Sequence, residues 1–235
     1  MLVRSRMTAH VYTASPVTTI AEALTLTRRY RIRHLPVLEG DRLVGLVTDR
    51  DLRLATPPIW AEQRDELYRM LHTRTVGEVM MGAIITTTPD TPIEDAAKQL
   101  YEHRIGCLPV MEGDRLVGIL TETDVLRSFT ELFGANDPSS RLEIRLPNRP
   151  GELARVVRLI GIDFKLNITG MVVPPLTGGD ALAIMHIATL DPRPVIEQLR
   201  KLGYRVGWPA LDLEPQPADP GYEPRERRRF FADAL

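Results

Sequence analysis

The chain has 235 residues and a formal net charge of −1, with 43% hydrophobic and 26% charged residues. This balance is typical of a globular protein, and the charge gives no general attraction to nucleic acid or to anionic membranes. No run approaches the roughly 20 apolar residues that span a bilayer, and Met1 to His10 lack the apolar segment of a secretory signal. We therefore expect a cytoplasmic protein without a membrane segment that folds without a metal ion or a disulfide.

The first part of the chain is a tandem repeat. Glu39 to Gly45 recurs letter for letter as Glu112 to Gly118. The same shift, which we call the repeat offset, carries Leu35-Pro36-Val37 onto Leu108-Pro109-Val110 without a gap. Two copies of one unit, packed face to face, would enclose a cleft with quasi-twofold symmetry.

Each copy is predicted to have the order β-α-β-β-α. Val11 to Thr13 predicts a short strand, and the apolar spacing that begins at Ile20 predicts a helix. Leu35 to Leu38 and Leu43 to Val47 predict a hairpin across a Glu-Gly-Asp-Arg turn, and a second helix starts near Asp49. The second copy predicts the same elements at Ile84 to Thr88, from Ile93, at Leu108 to Met111, at Leu116 to Leu120 and near Glu122.

The remaining segments predict a connector, a second domain and a tail. Residues 134–140 contain turn formers and mark a linker, after which the pattern no longer matches the repeat. Residues 141–212 predict the order β-α-β-β-α-β, which is the ferredoxin-like order. We expect a mixed α/β (α+β) protein with repeat 1 at 1–56, a helical connector at 57–75, repeat 2 at 76–133, the second domain at 141–212 and a Pro- and Arg-rich tail at 213–235.

The motif Gly-x-x-Thr-x-x-Asp occurs in both copies, ending in Thr48 and Asp51 in the first and in Thr121 and Asp124 in the second. A strand that ends in Thr and turns into a helix places a hydroxyl and a carboxylate beside free backbone N–H groups. Such a carboxylate accepts hydrogen bonds from vicinal ribose hydroxyls, and the helix N-terminus favours an anion. The alternative is that Thr and Asp only cap the second helix. The repetition of the motif favours a binding site.

These residues, with Leu35-Pro36 and Leu108-Pro109 before the hairpins, resemble a pair of CBS domains, the tandem unit also called a Bateman module. The resemblance implies that the cleft binds an adenosyl nucleotide as a regulatory ligand, whether AMP, ADP, ATP, NADH or S-adenosylmethionine, and that the chain forms a homodimer. It implies ribose binding by Thr48 with Asp51 and by Thr121 with Asp124, and phosphate binding by Arg50. Thr123 replaces Arg50 in the second copy, so we expect the two clefts to prefer different ligand charges. The groups that would enclose adenine are Val11, Thr13, His34, Pro36, Ile84, Cys107 and Pro109.

The Arg-Pro-Gly-Glu-Leu stretch within the second domain resembles an ACT domain, a small regulatory module that usually binds amino acids at a subunit interface. A loop that enters a helix N-terminus offers N–H donors to a carboxylate. The resemblance implies ligand contacts from Asn148, Arg149, Pro150, Gly151, Glu152, Leu153, Asn167 and Ile168. The alternative is an ACT fold used only for dimerisation. The order CBS, CBS, ACT is similar to the acetoin-utilisation protein B family. The biochemical target of such proteins is not readable from the residues.

Catalytic and metal-binding patterns are not found in the sequence. The five histidines lack ligand spacing, and the apolar neighbours of Cys107 predict a buried side chain rather than a reactive thiol. We expect a non-enzymatic ligand sensor that acts on an unidentified effector protein. The alternatives, in order, are a dimerising scaffold with vestigial clefts, a nucleotide-hydrolysing or transferring enzyme that uses Asp49 or Asp51, and a nucleic-acid binder that uses residues 220–235.

Overall fold

The computed structural model describes residues 1–56, 64–133, 138–174 and 179–208, with residues 64–67 described for their backbone only. The predicted tail, the end of the predicted second domain beyond residue 208, and parts of the predicted connector and linker lie outside these ranges. The chain divides into two compact units, Met1–Glu131 and Leu132–Leu235. Over the described residues, no helix combines the length and the apolar character that crossing a bilayer requires.

The first unit contains two similar sets of helix, antiparallel hairpin and helix, with one further helix between them. Each hairpin forms its own two-stranded sheet, and the two sheets have the same register. The elements are α1 (Ile20–Tyr30), β1 (His34–Glu39), β2 (Arg42–Thr48), α2 (Asp49–Leu54), α3 (Arg64–Thr73), α4 (Ile93–His103), β3 (Cys107–Glu112), β4 (Arg115–Thr121) and α5 (Glu122–Leu132).

The first helix of each copy has defined ends. Helix α1 begins with a capping box in which the Thr19 hydroxyl accepts from the backbone of Glu22 and the Glu22 carboxylate accepts from the backbone of Thr19. It ends at Arg31, which is left-handed with φ 54°, and α4 ends at Arg104 with φ 55°. The chain therefore turns in the same way from helix to strand in both copies.

The predicted first strand of each copy is wrong as a regular strand. Only Ala14, paired with Val37, and Thr87, paired with Val110, form isolated parallel bridges. Thr18 accepts a hydrogen bond from the backbone N–H of Ser15 through its hydroxyl. The Thr88 backbone N–H donates to the Thr91 hydroxyl in the same way, so a local turn follows directly after each bridge and occupies backbone groups that a longer strand ladder would need.

The segment that precedes the first helix of each copy, which we call its leading segment, packs against the other copy. Val3 lies in the core of the second copy, and Val76 lies in the core of the first. Thr8 forms an antiparallel bridge with Ile119, and the equivalent bridge joins Met81 to Leu46. The copies are thus interlaced with quasi-twofold symmetry, and each core is completed by residues from the start of the other copy.

The second unit contains one four-stranded antiparallel sheet in the order β6-β7-β5-β8. Apolar residues on alternate positions of the central strands pack against two helices to form the core. This is the β-α-β-β-α-β arrangement of a ferredoxin-like domain. The elements are β5 (Ser140–Pro147), α6 (Glu152–Arg158) continued by a π-helical turn (Leu159–Asp163), β6 (Ile168–Val172), β7 (Asp180–Ile187), α7 (Arg193–Lys201) and β8 (Arg205–Gly207).

Candidate functional site

A cavity of about 290 Å³ opens between the two copies of the first unit. We call it the main cleft. The first copy contributes residues from its leading segment and from the turn between α1 and β1, and the second contributes the end of β4 and the start of α5. The lining residues are Thr8, His10, Val11, Tyr12, Arg31, Ile32, Arg33, His34, Ile119, Thr121, Thr123 and Asp124.

Asp124 is held in the main cleft by the residue that ends β4. Its Oδ2 accepts from the backbone N–H of Thr121 at 2.8 Å and from the Thr121 hydroxyl at 2.6 Å. The backbone N–H of Asp124 in turn donates to the Thr121 hydroxyl oxygen at 3.3 Å. Oδ1 has no hydrogen-bond partner among the residues that the structure describes, so it remains a charged acceptor in a half-buried side chain. Capping therefore orients the carboxylate and leaves one oxygen for a ligand.

The same arrangement occurs at the equivalent position of the first copy. Asp51 Oδ2 accepts from the Thr48 backbone N–H at 3.0 Å and from the Thr48 hydroxyl at 2.6 Å. The Asp51 backbone N–H donates to the Thr48 hydroxyl oxygen at 3.2 Å. Both residues lie outside the lining of the main cleft. We call the region around them the equivalent cleft. Its residues are those that the repeat offset relates to the lining residues of the main cleft.

Two arginines bring positive charge to the main cleft. Arg31 lies at the left-handed end of α1, and Arg33 follows it two residues later. Arg33 Nη2 donates to the Thr123 hydroxyl at 3.2 Å and so reaches from the first copy to the second. The N-terminus of α5 lies beside them and adds backbone N–H groups that favour an anion.

His34 is a half-buried residue of the main cleft lining. Its burial lowers the pKa of the imidazole below the usual value, and the nearby Arg33 lowers that pKa further. Asp49, Glu122 and Asp51 act in the opposite direction. A Cβ at Gly106 would lie 2.8 Å from His34 Nε2, so the glycine makes room for the ring. The neutral imidazole is therefore favoured in the folded protein.

One lining residue of the main cleft, Tyr12, belongs to an aromatic pair. The rings of Tyr12 and Tyr30 stack with centroids 3.7 Å apart and an interplanar angle of 19°. The Arg29 guanidinium lies 5.5 Å from the centroid of Tyr30. Tyr12 is 42% exposed, so part of its surface remains open to the cleft.

The structure places only some of the predicted residues in one site. Val11, His34, Thr121 and Asp124 line the main cleft together. Arg50 is exposed on α2, Thr13 is half-buried, and neither lines this cleft. Ile84 lines a different cavity of about 690 Å³, beside the two hairpin turns.

Three predicted adenine contacts are buried inside the strands of the hairpins. Pro36 lies in β1, and Cys107 and Pro109 lie in β3. Burial raises the pKa of the Cys107 thiol to about 12. These three residues do not line the main cleft, and their contact with adenine stays a prediction.

Several residues of the main cleft were not predicted from the sequence. Thr8, Ile32 and Ile119 were not expected as ligand contacts, nor were the two arginines. One signal was present, since the dipeptide Arg31-Ile32 recurs as Arg104-Ile105 at the repeat offset. The contacts of the leading segment depend on the interlacing of the copies, which the repeat pattern alone does not indicate.

In the second unit, some of the predicted ligand-binding residues are exposed and others pack into the core. Residues 148–151 and Asn167 are exposed. Gly151 has φ 92°, and Glu152 accepts a hydrogen bond from the Tyr204 hydroxyl at 2.8 Å. Leu153 and Ile168 pack against the core of the unit. Only the exposed part of this set is therefore open to a ligand.

Comparison with known proteins establishes the family. The model of the CBS domain family matches residues 3–57 and 76–131. The CBS domain-containing protein YhcV of Bacillus subtilis is 35% identical over 123 residues, which cover 52% of this chain and 81% of that protein. The chain belongs to the CBS domain family. The inosine-5'-monophosphate dehydrogenase of Methanocaldococcus jannaschii is 30% identical over 152 residues, which are 64% of this chain and 28% of that enzyme, so a similar segment forms part of an enzyme.

Solved structures are similar to about 55% of the chain. The AcuB protein of Vibrio cholerae is 31% identical, with a TM-score of 0.47 and coverage of 56% of this chain and 93% of that one. CBSX2 of Arabidopsis thaliana, solved in complex with AMP, is 30% identical, with a TM-score of 0.46 and coverage of 55% and 95%.

Proposed function

We propose that the protein is a non-enzymatic regulatory sensor, active in the cytoplasm, whose CBS pair binds an adenosyl nucleotide in the main cleft. The observation that carries the proposal is the position of Asp124, whose Oδ1 has no partner among the described residues, in a cavity lined by both copies. The volume of about 290 Å³ is near the lower end of small-molecule sites.

The residues of the main cleft match the parts of an adenosyl compound. Asp124 Oδ1 would accept from a ribose hydroxyl. Val11 and Ile32 offer apolar surface to the base, and Tyr12 offers an aromatic ring. The arginines and the N-terminus of α5 favour an anionic group. Each part of the ligand thus has a chemical counterpart in the lining.

Regulation follows from the two-sided construction of the cleft. Because one wall comes from each copy, a bound ligand contacts both copies at once. A ligand shifts a conformational equilibrium only by the difference in its affinity for the two states. A ligand that contacts both copies has different affinities for two states if the copies move relative to each other when an effector protein binds.

The test is Asp124→Asn, measured by calorimetry with adenosine, AMP, ADP, ATP, NADH and S-adenosylmethionine. The amide oxygen of Asn still accepts from Thr121, so the cap is kept, while the charged acceptor for ribose is lost. We expect the affinity for adenosyl compounds to fall about tenfold or more, because a hydrogen bond to a charged group is removed. Asp51→Asn tests the equivalent cleft in the same way.

The matched control is Asp114→Asn, which changes an aspartate in the turn between β3 and β4. It should leave affinity unchanged. If the unaltered protein binds none of the six compounds, the sensor proposal fails and a scaffold with vestigial clefts is favoured. Turnover of any nucleotide that disappears in Asp51→Asn would favour an enzyme instead.

We further propose that the second unit acts as an ACT domain, which binds a second small molecule at residues 148–151 and Asn167 or joins two chains in a homodimer. Its support is the ferredoxin-like order and the exposure of this loop. Thermal unfolding with a set of amino acids tests the first role, and sedimentation at several concentrations tests the second. A monomer that no amino acid stabilises would contradict both.

A further inference from the structure

A second cavity of the first unit lies beside the two hairpin turns and has a volume of about 690 Å³. We call it the hairpin cavity. The tip of the first hairpin contributes Asp41 and Arg42, the tip of the second contributes Gly113 and Asp114, and the leading segment of the second copy contributes Ile84. The volume is within the range of small-molecule sites. The lining shares no residue with the lining of the main cleft.

The leading segment of the second copy runs from one hairpin to the other. At its start, Met81 exchanges backbone hydrogen bonds of 2.9 and 3.0 Å with Leu46 of β2. Further along, the carbonyl of Thr87 accepts from the backbone N–H of Met111 in β3 at 2.8 Å. Ile84 is midway between these two anchor points in the sequence. It therefore lines the cavity between the two hairpins.

Two carboxylates of the hairpin cavity lack a counter-charge within the described part of the chain. Asp41 and Asp114 are related by the repeat offset, and both residues are exposed. The side chain of neither forms a hydrogen bond or an ion pair with a described residue. Arg42, which also lines the cavity, pairs with Glu39, which does not, at 3.0 Å. The cavity thus presents two negative charges, one from each copy.

The rest of the lining favours an organic cation over a bare metal ion. Mg²⁺ and Ca²⁺ take about six or more oxygen ligands, and the described ranges contain no group of three or more His, Cys, Asp or Glu side chains that could hold a metal. Leu43, Ile84 and Met111 instead offer apolar surface to a hydrocarbon chain. A Cβ at Gly82 or Gly113 would meet nothing within 4 Å, so the lining leaves room for such a chain.

We propose that the hairpin cavity binds an aliphatic diamine or polyamine, with Asp41 and Asp114 as the contacts for two of its ammonium groups. The apolar lining contacts the methylene groups between them. An ion pair at an exposed position contributes little by itself, so selectivity arises because one ligand engages both carboxylates. The proposal does not depend on whether an adenosyl compound binds in the main cleft.

Calorimetry on the full chain at low salt tests the site with spermidine, 1,4-diaminobutane and 1-aminobutane. We expect the diamine to bind about threefold more tightly than the monoamine, or better, because the monoamine engages only one carboxylate. Asp41→Asn and Asp114→Asn should each lower diamine affinity about two- to fivefold, close to that of the monoamine. The double variant should remove the preference for the diamine. Raising the salt to about 0.15 M should weaken binding, because exposed charges are screened.

The matched control is Asp163→Asn, which changes an exposed aspartate of the second unit and should leave diamine affinity unchanged. Equal affinity for the diamine and the monoamine, or an equal loss in Asp163→Asn and Asp41→Asn, would overturn the assignment, because binding would then reflect general charge alone. Absence of spermidine binding, or Mg²⁺ binding that needs both cavity aspartates, would also overturn it. The sensor proposal is judged separately, since its ligands are adenosyl compounds and its variants are Asp51→Asn and Asp124→Asn.

Discussion

Asp124 shows how one side chain serves the fold and a candidate site at once. Its Oδ2 accepts two hydrogen bonds from Thr121 at the start of α5, and this cap is typically worth about 1 kcal/mol. Its Oδ1 has no partner among the described residues. The sequence offered capping and ligand binding as alternatives, but they are compatible, because the cap fixes the carboxylate in the orientation in which a ligand would meet it.

His34 gives a prediction about pH. Burial lowers the pKa of its imidazole below the usual value of about 6.5. As pH falls through that range, the unfolded chain binds the proton before the folded chain does, so the free energy of unfolding decreases. We expect His34→Gln to flatten the loss of stability between about pH 7 and pH 5. The charged groups near His34 that act on its pKa are Arg33, Asp49, Glu122 and Asp51.

Urea unfolding at a series of pH values measures this effect. His103→Gln, which changes an exposed histidine on α4, is the control. His186 also has a pKa lowered by burial and by Arg141, so part of the slope remains in both variants. A slope in His34→Gln equal to that of the unaltered protein would show that the half-buried His34 imidazole does not titrate as proposed.

At the scale of elements, the glycine of each second hairpin strand allows the other copy's leading segment to approach. A Cβ at Gly118 would lie 2.5 Å from Met7 Sδ and 3.2 Å from the Thr8 carbonyl oxygen, and a Cβ at Gly45 would meet Met80. The glycine of the Gly-x-x-Thr-x-x-Asp motif is therefore needed for packing. The Thr of the motif, three residues later, lies at the site. The close approach fixes β4 beside the segment that contributes His10 to Tyr12.

Gly118→Ala should destabilise the first unit by about 1–3 kcal/mol, since the methyl group overpacks against Met7. Gly82→Ala is the control, because a Cβ there meets nothing within 4 Å, and its effect should stay within about 0.5 kcal/mol. Thermal or urea unfolding measures both. Met7→Ala in the Gly118→Ala background should recover part of the loss. Equal effects at the two glycines would rule out the steric explanation.

The hairpins and their flanking helices could be predicted from the sequence, because their signals are local. The Glu-Gly-Asp-Arg turn and the Thr cap act within a few residues of where they stand. The lining of the main cleft could not be predicted to the same degree, since Thr8 and Arg33 are held there by contacts with Ile119 and Thr123 of the other copy. The burial of Pro36 and Pro109 could not be predicted for a similar reason, because the repeat pattern marks a position without showing which face of the strand is buried.

At the scale of the whole molecule, the two copies of the first unit are not separate folding modules. The core of the first copy is completed by Val76, Val79 and Met80, which lie beyond it in the chain. The core of the second copy is completed by Val3 and Met7. A single copy cut at the sequence boundary of the repeat therefore lacks part of its own core.

A fragment of residues 1–56 should not unfold cooperatively, whereas a fragment of residues 1–131 should. The shorter fragment leaves Ile20, Leu35 and Leu52 without the apolar residues of the segment at 76–80. A chain of that length buries only a small fraction of its surface, so the loss of part of its core is enough to prevent cooperative folding. Circular dichroism with urea measures both fragments. A fragment of residues 10–80 is the matched control, because it restores the missing segment, and it should regain cooperativity. If residues 1–56 unfold as sharply as residues 10–80, the interlaced segments contribute little to the core, and the cleft between the copies would have to be held together by other contacts.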